Sequence, residues 1–137
     1  MKETESLSRA AELPPATLAY VGDAVFELYV RERLVRDEVH VTARSLHRRA
    51  TALVRASSQA AIARALSDRL TPAEQDILRR GRNAHCGHVP AGAKVADYRL
   101  ATGLESLVGF LYLSGQTERL RALLGEALEA PAGEGHA

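Results

Sequence analysis

Two carboxylates sit in stretches that otherwise turn away from water. Asp23 lies inside LAYVGDAVFELYV, residues 18–30, where ten of thirteen residues are apolar or aromatic. Glu105 lies inside ATGLESLVGFLYL, residues 101–113, which is apolar nearly throughout. An unpaired carboxylate taken out of water costs several kcal/mol or shifts its pKa until it is neutral. Two acids brought together repel unless a cation lies between them. Mg²⁺ accepts oxygen ligands and often needs only one or two protein carboxylates alongside water and substrate phosphates. Such an ion activates water and stabilises charge on a phosphoryl oxygen. The other arrangement open to this spacing pairs each acid with an arginine, such as Arg99. Glu27, one turn beyond Asp23, reads as a partner for Arg31 or as an outer acid of the same site.

Other candidate chemistry is weaker. HCGH at 85–88 offers two histidines and a thiol within four residues, but lacks the fourth ligand at zinc-like spacing. Cys86 has no evident base and is not read as a nucleophile. It is the sole cysteine, so no intrachain disulfide is expected.

The elements that must carry the two acids read as helices from end to end. Residues 16–35 place Leu18, Val21, Val25, Leu28 and Tyr29 at helical spacing behind Pro14 and Pro15. Residues 42–66 form helix capped by Thr42, with a break expected at Ser57–Ser58. LTPAEQDILRRG gives a capping box, with Thr71 as cap, Pro72 in the first turn, Glu74 at the reciprocal position and Gly81 as the stop. Residues 84–95 read as a loop, 96–114 as a long apolar helix and 117–129 as a final amphipathic helix. The helices at 16–35 and 96–114 are apolar on most sides, which marks both as central. Gly22, Gly103 and Gly109 lie on them. Each glycine costs about 1 kcal/mol against alanine inside a helix, a cost offset where two backbones must approach. A crossing near Gly22 and Gly103 would bring Asp23 and Glu105 to one point.

At 137 residues, with 46% hydrophobic and 26% charged residues, the chain reads as a single globular domain over 13–129. Residues 1–12 form an N-terminal extension and 130–137 a flexible tail. No apolar run reaches the length of a membrane span and no leader is evident, so a cytoplasmic location is expected. The net charge of +1 hides two basic segments. Arg79 to Arg99 holds five Lys/Arg against Asp97, and Arg44 to Arg55 holds four arginines, one histidine and no acid. Basic segments in a near-neutral chain point to a polyanion footprint or to arginines paired with acids elsewhere.

LAYVGDAVFEL resembles the signature helix of the ribonuclease III family, and ATGLESLVGFLYL resembles its second acidic helix. Their order and separation fit, and the likeness runs from about Leu13 to Leu124. It is greatest to the short, catalytic-domain-only branch, Mini-ribonuclease III, with further matches in TPAEQDILRRGRNAH (71–85) and DYRLATGLESLVGFLYL (97–113). A double-stranded-RNA-binding domain is not expected beside it. Two acids of the larger enzymes are missing: Ala19 and Thr102 stand in their places.

The resemblance implies an all-α helical bundle working as a homodimer. It implies an endoribonuclease that hydrolyses a phosphodiester in double-stranded RNA, leaving 5′-phosphate and 3′-hydroxyl ends. Asp23 and Glu105 are the implied catalytic and metal-binding residues, with Mg²⁺ as cofactor and Mn²⁺ as an alternative ion. Arg79, Arg80, Arg82, Asn83, His85, Lys94 and Arg99 are the candidate RNA-binding residues, because guanidinium groups fork onto phosphate oxygens and duplex RNA is read by shape. The 82–95 loop is expected to compensate for the missing RNA-binding domain. The branch further implies maturation of the ends of large-subunit (23S) ribosomal RNA precursor, with a ribosomal protein as a further partner. The rival expectation, drawn from Ala19 and Thr102, is a catalytically inactive helical RNA-binding or ribosome assembly factor. A third is an interaction module with no RNA role.

Overall fold

Pro15 opens the helix that carries Asp23, where its missing N–H leaves no bond unmade. From there α1 spans Pro15–Asp37, α2 Ala43–Val54, α3 Ala56–Leu66, a 3₁₀ turn Ser67–Arg69, α4 Pro72–Asn83, α5 Val95–Leu113 and α6 Thr117–Glu134. This computed structural model describes residues 9–37, 42–84 and 88–134; His85 and Cys86 lie outside them, as do residues 1–8 and 135–137. There is no strand among the described residues. The all-α expectation holds.

The middle of α5 buries Leu104, Ser106, Leu107, Val108, Phe110 and Leu111, too wide an arc for a surface helix. Helices α1, α4 and α3 pack around it, and α6 closes a further side. Helix α1 differs from expectation. It buries Leu18, Val25, Phe26 and Val30, yet Tyr20, Leu28 and Val35 on its outer side remain 82%, 63% and 56% exposed. The apolar pattern of α1 therefore serves two faces, one inside the bundle and one outside it.

Local signals set most helix ends. Thr42 caps α2 by accepting from the Ser45 amide at 3.1 Å. At α4 the Thr71 hydroxyl accepts from the Glu74 amide, and the Glu74 carboxylate accepts from the Thr71 amide at 2.9 Å. Arg119 from α6 then forks onto that carboxylate at 2.8 and 2.9 Å and also reaches the Arg69 carbonyl. At the end of α5, Gly115 takes a φ of +80°, and the Gln116 amide returns to the Leu111 carbonyl at 2.8 Å.

Three boundaries differ from those expected. The break between α2 and α3 falls at Arg55, whose backbone is extended, not at Ser57–Ser58. Gly81 does not stop α4, which continues to Asn83; this glycine is buried against Gly103 and Ser106 of α5. Helix α6 continues to Glu134, past the expected end at 129.

Candidate active site

The two acidic helices meet at glycines, but not at the expected pair. A Cβ on Gly22 would fall 1.7 Å from the Glu105 carbonyl oxygen, and a Cβ on Gly109 would fall 1.9 Å from the Leu18 carbonyl oxygen. Only glycine permits such an approach. The crossing is thus Gly22 on Gly109, with Glu105 one turn before Gly109. Gly103 faces α4 instead, beside the Leu78 carbonyl and the Arg82 amide.

Because Gly22 touches the Glu105 backbone, the next residue on α1, Asp23, projects beside the Glu105 side chain. The two carboxyl groups lie within hydrogen-bonding reach of each other. Neither is deeply buried: Asp23 is exposed and Glu105 is half-buried, which corrects the expectation that both are out of water. Burial, and then the negative charge of Asp23, push the Glu105 carboxyl up to about 8, while a hydrogen bond from Gln59 pulls the other way. At neutral pH the Glu105 carboxyl therefore retains its proton when no cation is present.

No arginine pairs with either acid among the described residues. Arg31 takes Glu27, and Arg64 takes Asp97 at 3.0 Å. The salt-bridge arrangement left open by the spacing is not the one adopted. The residues that replace the larger enzymes' other acids offer no further charge. Ala19 is buried, and the Thr102 hydroxyl donates to the Tyr98 carbonyl of its own helix at 3.0 Å. No group of three His, Cys, Asp or Glu side chains converges among the described residues. Two adjoining carboxyl groups, open to solvent on the Asp23 side and with no guanidinium among the described residues paired to either, suit a divalent ion. They fit Mg²⁺, which keeps several of its waters.

Sequence reasoning missed Gln59. It is 2% exposed on α3; its amide donates to the Glu105 carboxyl at 3.3 Å and to the Val54 carbonyl at 2.8 Å. The one available signal is a long amide side chain inside the small, apolar run QAAIARAL.

The candidate RNA residues divide by environment. Arg79 is paired with Asp76. Arg80 donates to the Ala11 carbonyl at 3.3 Å and so ties down the segment before α1. Arg82, Asn83, Lys94 and Arg99 are exposed, and the Arg82 side chain donates to its neighbour Asn83 at 3.3 Å. Lys94 lines a cavity of about 380 Å³ together with Arg55, Ser57, Pro90, Gly92 and Asp97. The two basic segments of the sequence meet there, at Arg55 and Lys94.

A family model described as the Ribonuclease III domain matches residues 16–116. The chain belongs to the ribonuclease III family. Within it, the chain is 49% identical over 123 residues to Mini-ribonuclease 3 of Symbiobacterium thermophilum, covering 90% of this chain and 94% of that protein. It is 40% identical over 126 residues to Mini-ribonuclease 3 of a Thermoanaerobacter species, covering 90% and 88%. In three dimensions it superposes on a crystal structure of a Fusobacterium nucleatum protein with a TM-score of 0.78 and 24% identity, covering 88% of this chain and 95% of the other. That likeness concerns the fold. No helix among the described residues is long and apolar enough to cross a membrane.

Proposed function

We propose that this chain, an endoribonuclease by family, hydrolyses phosphodiester bonds in double-stranded RNA with Asp23 and Glu105 as its metal-holding acids. The observation that carries the reading is the contact between these two carboxyl groups, with Glu105 pushed up to about 8 and no arginine among the described residues paired with either. Mg²⁺ bound there supplies the polarisation of water and the charge neutralisation that phosphodiester hydrolysis needs. Asp23, at the solvent-facing edge, would hold the ion and orient the attacking water. Glu105, fixed through its backbone against Gly22, would be the second acid to hold it. The exposed Arg82, Lys94 and Arg99 supply cations for the phosphate backbone.

The active species is a homodimer, in which a second copy covers the Tyr20, Leu28 and Val35 side of α1. Support comes from the exposure of these large side chains on the helix that carries Asp23. The likeness to the Mini-ribonuclease branch points to a large-subunit (23S) ribosomal RNA precursor as substrate, bound in the cytoplasm together with a ribosomal protein.

Ala19 and Thr102 favour one alternative, a catalytically silent RNA-binding factor. Incubating purified protein with duplex RNA, with Mg²⁺ or with chelator, separates the two. The proposal expects cleavage with Mg²⁺ and none with chelator. Duplex binding without cleavage would instead establish the silent factor.

A further inference from the structure

Gln59 occupies a position that packing alone does not explain. It is 2% exposed on a helix whose other buried residues are Ala60, Ile62, Ala63 and Leu66. A buried amide is tolerated only when its donors and acceptor are used. Both Nε2 hydrogens are used, one on the Val54 carbonyl at 2.8 Å and one on the Glu105 carboxyl at 3.3 Å. Reversing the amide would set its oxygen against the Val54 carbonyl, which can only accept, so this orientation is fixed by that neighbour. The consequence is an orphan: Gln59 Oε1 is buried and has no partner among the described residues. Such an acceptor is costly to leave unsatisfied. An apolar side chain of the same volume would avoid that cost.

The orphan lies one amide width from the nitrogen that touches Glu105. We infer that Gln59 is a positioning residue for the divalent-ion site, holding the Glu105 carboxyl through Nε2 and presenting Oε1 as acceptor for a water that enters with the ion. This rests on the reading of Asp23 and Glu105 as that site. The anchor is the elbow between α2 and α3. Arg55 there is extended, which leaves the Val54 carbonyl free to take the Gln59 amide. The Ser58 hydroxyl secures the same elbow by donating to the Ala52 carbonyl at 2.7 Å. Gln59 thus links the elbow to the acid pair, whereas Ser58 holds the elbow without touching either acid.

The test compares Gln59→Met with Ser58→Ala, using Mn²⁺ binding to the full chain without RNA, followed by electron paramagnetic resonance. Outer partners of metal ligands typically contribute about 10–100-fold in affinity. Gln59→Met is expected to weaken Mn²⁺ binding at least about tenfold and to lower kcat on duplex RNA with KM unchanged. Ser58→Ala is expected to lower thermal stability and leave Mn²⁺ affinity as in the wild type. Equal Mn²⁺ affinity in Gln59→Met and wild type overturns the inference and leaves the acid-pair site standing. Equal weakening in both variants also overturns it, by assigning the effect to the elbow. Failure of the wild type itself to bind Mn²⁺ removes the underlying site, a separate outcome. A measurement on the unaltered chain needs no variant to fold: in a ¹⁵N-labelled sample, the Gln59 side-chain amide signals should shift in step with added Mg²⁺. Static Gln59 signals, with other signals moving around Glu105, would reject the role.

Discussion

Gly22 rests against the backbone carbonyl of Glu105, so closely that a Cβ there would sit 1.7 Å from its oxygen. This contact sets the separation of α1 and α5 and, through the next residue, the meeting of Asp23 with Glu105. Gly22→Ala must push the two backbones apart. The loss is expected to be about 3 kcal/mol or more, since overpacking against backbone cannot relax by a rotamer change. Gly125→Ala is the contrast: nothing lies within 4 Å of the added Cβ, and helix propensity should raise stability by up to about 1 kcal/mol. Urea unfolding of both variants measures the difference. Equal effects would mean that the crossing does not depend on glycine.

Asp23→Asn keeps the size and the helix but removes a charge from the acid pair. Cleavage of duplex RNA should be lost, with duplex affinity and oligomeric state retained. A single-turnover assay beside a binding assay reads both. Full activity in this variant would displace Asp23 from the chemistry.

Glu105 ties stability to pH. Its carboxyl is pushed up to about 8 by burial and by Asp23, above the value of about 4.3 in an unfolded chain. The folded state therefore holds the proton over a window in which the unfolded chain has released it. That contribution is complete below the unfolded value, and it disappears as pH rises through the folded one. In chelator, stability should fall by on the order of 1–3 kcal/mol between pH 5 and 8.5, a range set below the full shift because the group is half-buried. Glu105→Gln should remove this slope, and saturating Mg²⁺ should restore stability at the alkaline end in the wild type only. Urea titrations at several pH values test it; a wild-type slope unchanged in the variant would assign the effect to another group.

Much of this site was legible in the sequence, because acids that interrupt apolar helical runs are rare without a reason. Asp23 and Glu105 announced themselves this way, and the structure brings them together. The crossing glycine was misassigned although the spacing held the answer: 105 and 109 share a helix face, while 103 points nearly to the opposite side. The exposure of Asp23 was hidden because an apolar pattern does not say whether it faces the core or a surface. Gln59 was illegible for a different reason. Its role rests on a contact with Glu105, 46 residues away, and the lone amide in the run QAAIARAL does not say what it touches.

The Glu74–Arg119 pair lies away from the acids and should act on stability alone. The Glu74 side chain is 5% exposed and Arg119 forks onto both of its oxygens. Burial tends to raise the Glu74 pKa, but the Arg119 and Thr71 hydrogen bonds outweigh it and hold the group below its ordinary value. Its stabilisation is therefore present above the unfolded carboxylate pKa and lost as pH falls through the folded one. Arg119→Ala should cost about 3 kcal/mol, because it strands a buried charge. Arg119→Lys should recover only part of it, since an ammonium cannot fork. Thermal unfolding at neutral pH reads both. Wild-type stability in Arg119→Ala would mean that the pair is inert.

The surface arginines should separate by their existing partners. Arg80 already holds the Ala11 carbonyl, so Arg80→Ala should lower stability as well as RNA affinity. Arg82 and Arg99 are exposed and stand outside the ion pairs that engage Arg79 and Arg64, so their alanine variants should fold as the wild type does. If each neutralises one phosphate, each variant should reduce the slope of log affinity against log salt by about 0.7–0.9. Fluorescence anisotropy on one RNA duplex across a salt series supplies the slopes. Slopes unchanged in both variants would move the RNA-binding surface away from the ends of α4 and α5, and the Arg55–Lys94 cavity would then be the next place to alter.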